Sequence, residues 1–136
     1  LIRPYRSSDF SDIAWLNQIS YASPCSDDEL RAKLANKTWV YEDSPLVIGC
    51  LITYANCGKT YVWSVTVARN WQKRGVATAL LNEASKTFPE LWLYTEPFSD
   101  GERLYTKLGY TANKIVHDYY GAGKDAILMR KSNVAV

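Results

Sequence analysis

Histidine is nearly missing from this chain and cysteine is scarce: there is only His117, with Cys25, Cys50 and Cys57. Three thiols are an odd number without ligand-like spacing. This argues against a disulfide framework or a metal site and for reduced cysteines in a cytoplasmic protein. The chain also lacks any apolar run near the ~20 residues that span a bilayer, and any signal-peptide pattern, so no membrane partner is expected. Excess charge is missing too. Sixteen basic against 14 acidic residues leave a net +2, too little for an extended nucleic-acid surface but compatible with one local anion site. Repeats, low-complexity tracts and linkers are absent. A length of 136 residues, 47% hydrophobic and 22% charged, suits a single globular domain, 1–136, with a core of its own.

What is present is organised around residues 65–81. Val65, Thr66, Val67 and Ala68 read as the end of a strand, the segment 69–75 as a short basic turn, and Val76, Ala77, Leu80 and Leu81 as the start of an apolar helical period. A strand therefore feeds a helix whose first turn is small and positive. The opening amides of a helix have no partner within it, and the macrodipole places roughly half a positive charge there, so a phosphate can bind. Gly75 lets a ligand approach the backbone, Ala77 keeps bulk away, Thr78 adds a hydroxyl, and Lys73 and Arg74 add cationic donors. Taken alone, Gln72-x-x-Gly75-x-Ala77 fits equally an ordinary strand-turn-helix with a solvated basic turn.

Upstream, residues 1–6 read as a first strand, and Ser7, Ser8 and Asp9 offer caps to an amphipathic helix carrying Phe10, Ile13, Ala14 and Leu16. Ser26 and Glu29 have capping-box spacing, opening a second helix with Leu30 and Leu34. Segments 38–42, 46–54 and 60–68 are rich in β-branched and aromatic residues and are separated by turn residues, which predicts an antiparallel meander. After the helix stopped by Pro89, segment 91–96 reads as a buried strand parallel to its predecessor. Ser99 and Glu102 cap a short helix ending at Gly109, and strands over 110–120 and 125–131 close the chain.

Within this order two stretches carry a resemblance. Val67-Ala68-Arg69-Asn70-Trp71-Gln72-Lys73-Arg74-Gly75-Val76-Ala77 resembles the acetyl-CoA signature of the GNAT superfamily of acyl-CoA-dependent N-acetyltransferases, and Leu104-Tyr105-Thr106-Lys107-Leu108-Gly109-Tyr110 resembles its second hallmark. The element order matches over essentially the whole chain. The resemblance implies an α/β fold: a mixed, mostly antiparallel seven-stranded sheet with four helices, splayed between strands 4 and 5. It also implies transfer of an acetyl group from acetyl-CoA to a primary amine by direct attack. The acceptor would be a small amine or a peptide N-terminus, and the protein a monomer or homodimer. A non-catalytic acyl-CoA sensor on the same fold is the alternative. Two positions depart from the family pattern: Arg69 stands where proline is usual, and Phe98 where an asparagine often contacts the cofactor.

The resemblance further implies residue roles. Amides of Lys73, Arg74, Gly75, Val76, Ala77 and Thr78 would hold the pyrophosphate, Gln72 is a further cofactor-binding residue, and the pantetheine would run beside Val65, Thr66 and Val67 like an added strand, which requires an open edge. The Val67 amide would meet the developing oxyanion; one such donor can be worth about 3 kcal/mol. Tyr105 would protonate the departing thiolate, although a core tyrosine with a satisfied hydroxyl is the plainer reading of that residue alone. For the base, Glu96 would share a face with Tyr94 in a regular strand. A solvated strand-end carboxylate is its alternative, and Glu42 and His117 are further candidates. Tyr119 and Tyr120, before Asp125 and Ala126, resemble the closing hairpin of members that acetylate protein N-termini. Trp39, Trp63 and Trp92 either line an acceptor pocket or fill the core, and Cys50 and Cys57 read as packing and loop residues.

Overall fold

The computed structural model describes residues 1–133; the sequence expectation of a domain extending over 134–136 lies, for those three positions, outside the described residues. The elements follow in the order β1 (Ile2–Pro4), α1 (Phe10–Ser20), α2 (Asp27–Leu34), β2 (Thr38–Asp43), β3 (Leu46–Asn56), β4 (Lys59–Val67), α3 (Val76–Thr87), β5 (Glu90–Thr95), α4 (Asp100–Lys107), β6 (Thr111–Val116) and β7 (Ala126–Ser132). Short 3-10 turns at Ser7–Asp9 and Arg69–Trp71 precede α1 and α3. The seven strands form one mixed sheet in the order β1-β2-β3-β4-β5-β7-β6. It is mostly antiparallel, with β4 and β5 running parallel. Contacts divide the chain into two compact units, residues 1–54 with 63–87, and 55–62 with the residues from 88 on.

In the first unit, α1 and α2 place Phe10, Ile13, Leu30 and Leu34 against Val40, Val47, Cys50 and Ile52 of β2 and β3. Ser26 caps α2 as its spacing predicts, its Oγ accepting the Glu29 amide at 3.2 Å. Burial raises the Cys50 thiol, so it is a packing residue and not a nucleophile. Gly49 sets how closely α3 packs: a Cβ built there would lie 3.0 Å from Cγ1 of Val76. Its missing side chain lets the first turn of α3 come down on β3. The Ala68 amide donates to the Ile48 carbonyl at 2.8 Å, which pins the end of β4 beside the same strand.

An ion-pair cluster ties β1 to α1 and β2. Arg3 holds both carboxylate oxygens of buried Asp9 at 2.8 Å and Oε1 of Glu42 at 2.6 Å, and Asp9 also accepts the Arg6 amide at 2.9 Å. Glu42 is thus occupied as a structural partner, which removes it from the candidate bases. Hydrogen bonds from Arg3 hold the Asp9 carboxyl below the usual carboxylate range. A lowered folded pKa contributes stability above the unfolded value of about 3.9, and that stability is lost as pH falls through the folded value. Arg3→Ala is therefore expected to cost about 2 kcal/mol at neutral pH, since one partner of a largely buried pair is removed. The wild-type advantage in urea unfolding should narrow below about pH 4; an advantage independent of pH would assign the loss to packing instead.

In the second unit, β7 lies between β5 and β6, with Leu93 opposite Met129 and Ile115 opposite Ile127. Leu91, Leu93, Tyr110, Leu128 and Met129 are buried there. The described ladder between β4 and β5 carries one registered pair, Tyr61 with Trp92. The buried Trp92 fills the core rather than lining a pocket, as does Trp39 in the first unit.

Candidate active site

The turn between β4 and α3 carries a run of backbone N–H donors that the fold does not use. The Arg69–Trp71 turn closes through hydrogen bonds from the Trp71 amide to the Ala68 carbonyl and from the Gln72 amide to the Arg69 carbonyl. Lys73 and Gly75 then adopt left-handed backbone, with φ of 61° and 84°. The first helical bond of α3 runs from the Ala79 amide to the Gly75 carbonyl at 3.0 Å. The amides of residues 73–78 are consequently left without acceptors among the described residues. A Cβ built on Gly75 would meet nothing within 4 Å, so the turn is open at that point. Free amides, the positive end of α3 and the cations Lys73 and Arg74 suit a pyrophosphate.

Gln72 differs from its neighbours. Its side-chain Nε2 donates to the Val67 carbonyl at 3.1 Å and its amide is spent on Arg69. The side-chain bond ties the turn to the end of β4 and leaves the second Nε2 hydrogen uncommitted among the described residues. The half-buried Val65, Thr66 and Val67, together with Ile19, Ser20, Tyr21, Arg69 and Gln72, line a cleft of about 450 Å³, within the range of ligand sites. The Tyr21 hydroxyl and Ser64 Oγ lie 2.7 Å apart, fastening the segment after α1 to β4. Sequence reasoning missed this latch, because no local pattern joins positions 43 residues apart.

The second unit carries the remaining candidates. Ser99 caps α4, its Oγ accepting the Glu102 amide at 3.1 Å. Gly101 lets the helix lie close to β5: a Cβ there would be 2.9 Å from Thr95 Oγ1 and 3.4 Å from the Tyr105 ring. Half-buried Tyr105 meets Tyr110 edge-on, with ring centroids 5.7 Å apart at 61°. Phe98 is 90% exposed and sits at φ 60°, a left-handed conformation that asparagine or glycine adopts more readily than phenylalanine.

Two expectations change here. The sequence places Glu96 on a strand, but β5 ends at Thr95 and Glu96 is exposed. Its carbonyl accepts Ser99 Oγ at 2.6 Å, so the chain has already turned toward α4 and the alternation with Tyr94 stops. Glu96 lines a separate cleft with Pro97, Gly123, Lys124 and Asp125. The sequence also places Tyr119 and Tyr120 at a strand end, but β6 stops at Val116. Asp118 takes φ 58°, its amide donating to Asp125 and its carboxylate accepting the Gly123 amide, which folds the segment into a turn. His117 belongs to the same turn, 3.2 Å from Asp125. The turn brings Tyr119 onto Tyr94 at 4.2 Å, and Tyr94 stacks on Tyr61 at 6.0 Å. Burial raises the phenols of Tyr94 and Tyr119. Among the described residues, no group of acidic, histidine and cysteine side chains could hold a metal ion.

The family described as Acetyltransferase (GNAT) domain matches residues 35–112. An N-alpha-acetyltransferase of Sulfurisphaera tokodaii is 33% identical over 78 residues, which cover 52% of this chain and 47% of that protein. The match thus spans about half the length of this relative. The crystal structure of the ribosomal-protein-S18-alanine N-acetyltransferase from Escherichia coli superposes with a TM-score of 0.87 at 19% identity, covering 100% of this chain and 95% of that one. An aminoglycoside 6'-N-acetyltransferase complexed with coenzyme A gives a TM-score of 0.87 at 15% identity, covering 100% and 98%. These two likenesses concern the fold. With the family match covering more than half of its residues and including the cradle, the chain belongs to the GNAT acetyltransferases.

Proposed function

We propose that residues 1–136 act as a single cytoplasmic domain that transfers an acetyl group from acetyl-CoA to a primary amine, in a small molecule or at a peptide N-terminus, as a monomer or homodimer. No metal, nucleic acid or membrane takes part. The observation that carries the reading is the run of unbonded amides at 73–78, with open space beside Gly75. Coenzyme A complexed with a neighbour of the same fold supports it.

Acetyl-CoA, when bound, supplies the activated thioester. Amides of Lys73, Arg74, Gly75, Val76, Ala77 and Thr78 hold its phosphates, and Gln72 keeps the turn in place. The main chain of Val65, Thr66 and Val67 orients the pantetheine arm, and the Val67 amide stabilises the oxyanion. The neutral amine attacks the carbonyl carbon; a C–N bond forms as the C–S bond breaks. Glu96 receives the amine's proton, directly or through water, and the Tyr105 hydroxyl gives a proton to the thiolate. Because the amine attacks the thioester directly, no covalent enzyme intermediate is required.

A screen of small amines beside peptides of varied first residue, read by release of the free CoA thiol, tests this. Turnover on one acceptor class is the expected result, and preference for peptides would give the Tyr94–Tyr119 stack a role in acceptor binding. The second reading, an acyl-CoA sensor, is favoured by the exposure of Glu96 beyond the strand end. Micromolar acetyl-CoA binding without thiol release on any acceptor would establish it.

A further inference from the structure

Helix α1 carries apolar residues on two faces. One face, with Phe10, Ile13 and Leu16, is buried in the first unit. The other exposes Ser11, Trp15, Gln18 and Ile19 and bears no charge, since Asp12, the only charged residue of the helix, is committed through Oδ2 to the Val47 amide at 3.0 Å. The neighbouring α2 has the polar outer face usual for a solvated helix, exposing Asp27, Asp28, Glu29 and Arg31.

The outer face of α1 continues into a hollow. Trp15 and Ile19 line a cleft of about 420 Å³ with Leu46 of β3 and with Trp71 of the turn after β4, all within the first unit. Trp15 and Leu46 are each 57% exposed and Ile19 is 49% exposed. The exposed large hydrophobic side chains of that unit are these three with Leu1 and Tyr21, so most of them border one depression. Such a concentration marks an interaction surface.

Opposite charges stand on the same surface. Asp12 on α1 and Arg69 on the turn both line the cleft but form no ion pair with each other, and among the described residues Asp12 Oδ1 and the Arg69 guanidinium enter no hydrogen bond. The face therefore holds exposed apolar side chains, a hollow, a free carboxylate oxygen and a free guanidinium. A two-fold axis sets each of these against its complement, because in an isologous contact residue i meets j and j meets i.

We propose that this face joins two copies of the chain, with Trp15 and Leu46 of each copy entering the cleft of the other and Arg69 of each pairing with Asp12 of the other. Ile19 and Arg69 also line the cleft along Val65, Thr66 and Val67, so the interface borders that cleft. The assembly holds with or without turnover of acetyl-CoA.

Sedimentation velocity of the full chain from about 1 µM to about 1 mM tests this. A reversible dimer with a dissociation constant on the order of 10–100 µM is expected, as for other small, transient interfaces. Trp15→Gln and Ile19→Lys, both at exposed positions, should each weaken it at least about tenfold and leave the far-ultraviolet circular dichroism unchanged. Arg69→Glu sets like charges together and should weaken it as well, whereas Arg69→Lys should keep most of the affinity. A wild type that stays monomeric throughout would overturn the proposal. So would a dimer that Trp15→Gln and Ile19→Lys leave intact, since its interface would lie elsewhere. Loss in those two variants without loss in Arg69→Glu would overturn the two-fold pairing of Arg69 with Asp12. A monomer that sediments with phosphatidylserine vesicles would overturn the dimer by assigning the face to a lipid surface.

Discussion

Replacing Tyr105 with Phe is expected to lower turnover by about 10²–10³-fold, the usual contribution of a positioned general acid, while leaving acetyl-CoA affinity nearly unchanged. The substitution removes one oxygen and keeps the ring, so the edge contact with Tyr110 and the fit against Gly101 persist. The backbone bond from the Tyr110 amide to the Tyr105 carbonyl, 2.9 Å long, is also untouched. Steady-state kinetics with a saturating acceptor, set beside direct titration of acetyl-CoA, separates the two effects. A loss in kcat matched by weaker cofactor binding would make Tyr105 a structural residue of α4. A fully active variant would remove it from the acid role.

Gly75→Val should weaken acetyl-CoA binding by at least about 100-fold, because two effects combine. At φ 84° a β-branched residue is strained, at a cost of about 1–2 kcal/mol in stability. The built Cβ meets no protein atom within 4 Å, so its bulk falls on whatever occupies the space before the amides. Gly58 supplies the control: at the β3–β4 turn it has φ 77° and equally open surroundings. Gly58→Val should lower the melting temperature comparably yet leave acetyl-CoA affinity intact. Equal binding losses in both variants would mean that backbone strain, not occupancy of the cradle, explains the Gly75 result.

Much of this arrangement is legible in the chain's local patterns. The caps Ser26 and Ser99, the apolar periods of α1 and α3, and the Val65-to-Leu81 passage from strand through basic turn to helix all rest on residues close together in sequence. Backbone propensity, capping and side-chain periodicity act over a few positions, which makes them readable there. Strand ends at the second unit's hairpin and after β5 are less legible. The alternation at Tyr94 gives no warning that Ser99 takes the Glu96 carbonyl, and the aromatic run before Gly121 hides the turn that Asp118 and Asp125 stabilise.

The sequence by itself determined the element order, the family and the small, positive entrance to α3, since each is written in local patterns. Tertiary structure alone decided that Gly49 would let Val76 approach β3, that the Gln72 side chain would donate to the Val67 carbonyl, and that Glu42 would be taken up by Arg3. It also decided that Tyr61, Tyr94 and Tyr119 would stack and that Arg69 would line a neutral cleft without a partner among the described residues. Whether a given donor is free or spent depends on what the folded chain brings within about 3 Å of it. Contacts between distant positions carry no local pattern, so only the fold could say which groups remain for a ligand.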